Sequence, residues 1–210
     1  MLRGMRSDLR VLALVTVAGG FLLGFLDFVW IKWMPYPLAE LGNSTATWAV
    51  AAFGFGYWVR SGWLRAALGA AALLVVAVPS YYLAAWLLQG DDLAVLWATT
   101  SLFWMALGVL TGVVFGIGGV WARGSGRRQV VGTALPAAVF FEEAARFAGR
   151  IGDPNYPSGV GWNVAIDIAL GVLVVLLVGG SRRRQVLAVA VAVPLAALVR
   201  LGFELVGGAV

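Results

Sequence analysis

Apolar residues fall into long runs separated by short polar connections rich in Gly, Pro or Arg. A helix needs roughly 20 apolar residues to cross a bilayer. On that ruler the runs predict seven spans, at about 11–33, 45–59, 66–88, 94–121, 129–148, 161–180 and 185–207. The second is short, so it is either little tilted, lengthened by its neighbours or re-entrant, and six spans is the alternative. With no long hydrophilic insertion and no internal repeat, the pattern predicts an all-α integral membrane protein whose residues 1–210 form one domain, a compact helical bundle. The basic N-terminal stretch has no small-residue cleavage site, so the first span is expected to be retained. Gly20, Gly24, Gly54, Gly56, Gly108, Gly112, Gly116 and Gly119 recur where helices can approach closely.

Charge orients this bundle. One set of connections receives Arg3, Arg6, Arg10, Arg60, Arg65, Arg123, Arg127, Arg128, Arg182, Arg183 and Arg184, eleven of the fifteen basic residues, while Lys32, Arg146, Arg150 and Arg200 fall on the other side. The positive-inside rule then places the N-terminus in the cytoplasm and the chain in the cell membrane as a multi-pass protein. The net charge of +5 lies beside apolar runs, which reads as topology rather than nucleic-acid binding. The chain has no Cys and no His. That closes disulfides, thiolate and imidazole metal sites and the Ser-His-Asp triad, so no metal or cofactor is expected and acid–base work falls to Asp, Glu, Tyr or Lys.

The acidic residues are distributed unevenly. Only Asp8 lies on the cytoplasmic side, Glu40, Asp91, Asp92 and Asp153 fall in outer loops, and five are within spans. Asp27, Glu142, Glu143 and Asp167, on three helices, each come out roughly 5–8 Å to the outer side of their helix midpoints at about 1.5 Å per residue. Glu204 sits higher. Ionisable groups at such depth are expensive and default to a functional reading. Arg146 is placed to pair with Glu142 (i,i+4) or Glu143 (i,i+3), and Arg200 with Glu204 (i,i+4), which gives those acids a purely structural account. Asp27 and Asp167 have no opposite charge within a helical turn and are the stronger candidates.

Ten Trp, five Tyr and eleven Phe exceed what interfacial belts use. Polar and aromatic residues of the other spans crowd the same outer half, among them Asn43, Ser44, Thr45, Trp48, Ser80, Tyr81, Tyr82 and Trp104. Trp86 and Trp97 also fit as interfacial anchors. The layer predicts an outer pocket walled by aromatic rings and holding a few acids. Asp27, Asp167, Glu142 and Glu143 are its catalytic candidates. Trp30, Asn43, Trp48, Tyr81 and Tyr82 are candidates to bind the substrate, as are Trp97, Trp104, Phe141, Arg146 and Trp162. The connections at 33–43 and 152–159 are rich in Pro and Gly, lie on one side, and read either as two ordered lids or as two ordinary turns. The glycines at 116–119 lack the setting of a nucleotide fingerprint.

The stretches Gly24-Phe25-Leu26-Asp27-Phe28-Val29-Trp30-Ile31-Lys32, Glu40-Leu41-Gly42-Asn43-Ser44 and Val114-Phe115-Gly116-Ile117-Gly118-Gly119 resemble a group of small multi-pass actinobacterial membrane proteins without assigned function. In size, spans and intramembrane acids the chain is also similar to the membrane-bound indole-terpenoid cyclases, of the drimentine and paxilline types. That second likeness is architectural and does not align the family's acids onto single positions here. It implies an isomerase of meroterpenoid biosynthesis, in which a carboxylic acid protonates a prenyl double bond or epoxide, carbocations close rings, and a proton is lost. Its partners would be the bilayer and a lipophilic farnesyl-bearing substrate. Low dielectric keeps a carboxyl neutral, and aromatic faces stabilise cations by about 0.5–2 kcal/mol each. An outward-facing substrate-binding subunit of a small-metabolite importer, or a purely structural membrane protein, are the alternatives. For the importer, Ala-rich faces such as Ala66, Ala67, Ala70, Ala71 and Ala72 are too common in membranes to serve as a docking signature.

Overall fold

The computed structural model describes residues 2–207, with side chains from 9 to 205. Seven α-helices occur among them: α1 (Leu2–Trp33), α2 (Thr45–Trp58), α3 (Trp63–Gln89), α4 (Thr99–Ala122), α5 (Gly126–Ala148), α6 (Val160–Val178) and α7 (Arg182–Gly207). The side chains of Arg3, Arg6 and Asp8, used above to orient the chain, lie outside the described ones. Helices α3, α5 and α7 each begin about three residues before their apolar runs. Their first turns, with Arg65, Arg127, Arg128 and the arginines at 182–184, are polar yet still helical. Helix α4 starts later, at Thr99, because Asp92 accepts the Ala94 N–H (2.8 Å) and turns Leu93–Trp97 into a 3₁₀ segment.

Five helices are long and apolar enough to cross a membrane: Leu9–Trp33, Trp63–Gln89, Thr99–Ala122, Val160–Val178 and Arg182–Leu205. Helix α2, with 14 residues, is too short, and α5 carries Arg127, Arg128, Glu142, Glu143 and Arg146. The buried hydrophobic set is dominated by Ala, whereas Leu14, Leu110, Leu177, Val186 and Leu205 are all more than 60% exposed. Small residues inside and large apolar ones outside are what a hydrocarbon solvent favours, because packing rather than water exclusion holds the helices together.

The chain divides into two compact units. One contains α1, α2 from Thr47, α3 and α4 to Val120; the other contains Pro35–Ala46 and the chain from Trp121, with α5, α6 and α7. In the first unit glycines set the helix spacing. A methyl on Gly20 would strike the Leu73 carbonyl, and one on Gly24 the Ala77 carbonyl, so α1 lies directly on the backbone of α3. Gly112 and Gly116 bring α4 onto Ala66, Ala70 and Ala71 of α3, and Gly56 and Gly119 bring α2 and α4 together. Gly108 approaches Leu74 less tightly, and Gly54 faces open space, so that glycine is not a packing position.

In the second unit α5 is central and runs along both α6 and α7, which touch each other little. Ala134, Ala137 and Ala138 of α5 pack with Val175 of α6 and with Ala188 and Ala192 of α7. The helix with the least apolar sequence is therefore the innermost of its unit, and its acids have to be accommodated by protein.

Gly24→Ala is expected to lower the stability of the detergent-purified protein by about 1–3 kcal/mol, because the Ala77 backbone cannot retreat without moving a helix. Gly54→Ala should leave it unchanged or slightly raised. Thermal unfolding followed by circular dichroism compares the two.

Candidate functional site

The second unit holds three of the four candidate acids. Glu143, 1% exposed, is surrounded by donors: Ser44 Oγ at 2.6 Å, Thr45 Oγ1 at 2.8 Å, the Ala46 N–H at 3.2 Å and Arg146 Nη2 at 3.4 Å. The carboxylate thus sits at the start of α2, where free N–H groups favour a negative charge. These bonds fasten the segment 35–46 to α5. Asn163 of α6 fastens its other end: it accepts from the Tyr36 hydroxyl (2.6 Å) and donates to the Pro37 carbonyl (3.2 Å). Burial, reinforced by the charge of Glu40, raises the Tyr36 hydroxyl above its ordinary pKa, so this donor keeps its proton at neutral pH.

The connection after α5 meets the same strap. Asp153 accepts from the backbone and the side-chain amide of Asn155, both at 2.9 Å, and Arg150 lies 4.6 Å over the Tyr156 ring. The Tyr36 ring packs on Gly159 so closely that a Cβ there would come within 2.8 Å of it. The connections at 33–43 and 152–159 are therefore in contact. Asn163 lies one helical turn, about 6 Å, from Asp167 along α6, and that interval sets the depth of the strap above the acid.

Asp167 is 3% exposed, and its Oδ2 has no hydrogen-bond donor among the described residues. The charged groups within electrostatic reach of it are Glu143, Arg146 and Glu142. Glu142 is 4% exposed and makes no ion pair or hydrogen bond among the described residues; Arg146, Glu143, Arg200 and Arg150 act on it electrostatically. Of the two same-helix pairings open to Arg146, the i,i+3 one forms, to Glu143. The Arg200–Glu204 pair forms at 2.9 Å with both side chains at least half exposed, where such a pair is worth about 0–1 kcal/mol. After these pairings, Asp167 Oδ2 is the one buried carboxyl oxygen of this unit with no hydrogen-bond partner among the described residues.

The first unit holds Asp27, 6% exposed, which accepts from the Trp48 indole N–H at 3.0 Å. Tyr81 lies within electrostatic reach. Its ring meets Phe28 edge-on at 5.3 Å and Tyr82 at 5.4 Å. Asp27 thus lies beside Trp48 and Tyr81, with Tyr82 against the Tyr81 ring. The remaining candidates are placed differently. Trp97 (78% exposed), Trp162 (67%), Trp104 (40%) and Trp30 (39%) stand at the surface, where the amphipathic indole suits an interface. Asn43 is exposed, and Phe141 packs against Gly171 and the alanine core.

Sequence reasoning missed Asn163 and Tyr36. Asn163 was visible as a polar residue four before Asp167, hence on the same helix face. Nothing local marked its partners, which lie some 126 residues away.

Fold and site together define an all-helical protein with five helices long and apolar enough to cross a membrane and with buried, partly unpaired carboxyls. The chain belongs to a family of unknown function, DUF6518, whose match runs over residues 3–209. No curated protein and no solved structure matches it.

Substituting Asn163→Ala removes both strap bonds at once and strands the Pro37 carbonyl, a loss of about 1–3 kcal/mol at this point. Amide hydrogen exchange at 38–44 should accelerate several-fold or more, with exchange in α3 unaltered. Unchanged exchange at 38–44 would show that the strap is held by other means.

Proposed function

We propose that the protein resides in a membrane and catalyses acid-initiated cyclisation of a lipophilic, prenyl-bearing substrate, an isomerisation through carbocations. The observation that carries this reading is the buried Asp167 Oδ2 without a protein partner. Structures rarely leave a buried polar atom unpaired without a reason, and a catalytic role is one. In this reading Asp167, in its protonated form, delivers its proton to a substrate alkene or epoxide. A neighbouring double bond then attacks the resulting cation, a carbon–carbon bond closes, and loss of a proton from the final cation returns it to a carboxylate. Substrate and product have equal mass.

Within this proposal Glu143 is not the acid, because its lone pairs are committed to the strap and to Arg146. Glu142 is the other buried carboxyl whose charge reaches Asp167. In the first unit, taken by itself, Asp27 with Trp48, Tyr81 and Phe28 is a second carboxyl set among aromatic rings. The importer alternative is less well supported. Ala66, Ala67, Ala70 and Ala71 are at most 7% exposed, and Ala66, Ala70 and Ala71 lie under Gly112 and Gly116 of α4, so these four offer no free docking face.

Purified protein incubated with a farnesylated indole should yield a cyclised isomer of unchanged mass. Asp167→Asn should reduce conversion by about 10²–10⁴-fold, the span of general acid catalysis. A folded Asp167→Asn variant that retains full conversion would refute the mechanism. Tight binding of a water-soluble metabolite without turnover would favour the importer instead.

A further inference from the structure

Opposite in character to the acids is an arginine face on the second unit. Arg127 and Arg128 lie in the first turn of α5, and Arg182, Arg183 and Arg184 in the first turn of α7, all exposed. The two turns are neighbours: Arg184 Nη1 donates to Oε1 of the buried Gln129 at 2.8 Å. Gly180, in the turn before α7, has its Cβ direction 3.5 Å from Gln129 Nε2. Five guanidinium groups are thereby gathered at one end of the unit.

Nothing in the second unit neutralises them. No acidic residue occurs at 93–141 or at 168–203. Glu142 lies 14 residues beyond Arg128, about 21 Å along α5, and Glu204 lies 20 residues beyond Arg184, about 30 Å along α7. None of the five makes an ion pair among the described residues. Their placement is also unfavourable to the helices themselves, since first turns carry partial positive charge and prefer acids. Such an arrangement is stabilised by an external anion. Arg suits phosphate, which its planar fork grips in bidentate fashion.

We propose that this face is a seat for the phosphate of an anionic membrane phospholipid, of the phosphatidylglycerol class. The lipid is the occupant that charge complementarity selects, because the α6 and α7 surfaces running away from the arginines are apolar and exposed, with Leu173, Leu176, Leu177, Val186 and Val193 at 46–74% exposure. One molecule then satisfies both features, its headgroup on the guanidinium groups and its chains along the helices. The inference rests on the membrane reading above and is independent of the cyclisation chemistry.

Native mass spectrometry of the detergent-purified full chain, titrated with phosphatidylglycerol and with phosphatidylcholine, tests it. The anionic lipid should bind at least about tenfold more tightly. Each arginine near a membrane surface contributes about fivefold, so the quadruple variant Arg127→Gln, Arg128→Gln, Arg182→Gln, Arg183→Gln should abolish that preference. Arg184 is left in place because it holds Gln129. Arg60→Gln, an exposed arginine of the other unit, should behave as wild type. Equal binding of the two lipids by the wild-type chain, or a preference that survives the quadruple change, overturns the proposal. Full displacement of the lipid by millimolar inorganic phosphate would assign the face to free phosphate and also overturn it. Co-flotation of the wild-type chain with phosphatidylcholine liposomes tests the membrane reading separately, so its failure is distinguishable from failure of the lipid seat.

Discussion

Burying a carboxylate away from water costs several kcal/mol unless donors replace the lost hydration, and the second unit is organised around one such replacement. Glu143, almost fully buried on the innermost helix of that unit, receives two hydroxyls, a backbone N–H and a guanidinium. Three of those donors come from a segment about 98 residues earlier in the chain. The ionised side chain therefore dictates where Ser44, Thr45 and Ala46 lie. Through them it fixes one end of the strap whose other end is held by Asn163.

Because Glu143 takes the ion pair with Arg146, its neighbours are left with less. Glu142 and Asp167 share the same interior without a partner of their own. A network that satisfies one acid and leaves two exposed to each other's charge is costly as architecture alone. That asymmetry gives the functional reading its direction: one acid holds structure, and the others are available to a ligand or a proton. In the first unit the division does not arise, since Asp27 is the one buried acid among its described residues, with an indole donor and aromatic neighbours.

Glycine and alanine play the corresponding role for the apolar surface. Gly20, Gly24, Gly112 and Gly116 let helix backbones touch, and the buried alanines of α5 and α7 do the same in the second unit. Large side chains are consequently displaced outward, including several tryptophans that had been candidates for a pocket wall. Close packing of small residues and an aromatic-lined interior compete for the same helix faces, and in most places packing has won.

The sequence by itself determined that the chain is helical and roughly where its seven helices lie, because long apolar runs favour a backbone that satisfies its own hydrogen bonds; it did not determine every boundary, since α1 begins at Leu2 and α4 at Thr99, nor the number of spans, since five helices are long and apolar enough to cross a membrane. It also determined which acids would be buried, since Asp27, Glu142, Glu143 and Asp167 are flanked by apolar residues on their own helices. Helix periodicity allowed Arg146 either of two partners and could not choose between them. Only the tertiary structure decided that Glu143 would be the partner, that Asn163 and Tyr36 would close the strap, and that Trp97 and Trp162 would face outward. The strap and the donors of Glu143 depend on pairings across more than 90 residues, and no local pattern of hydrophobic and polar positions encodes which distant donor reaches a given carboxylate.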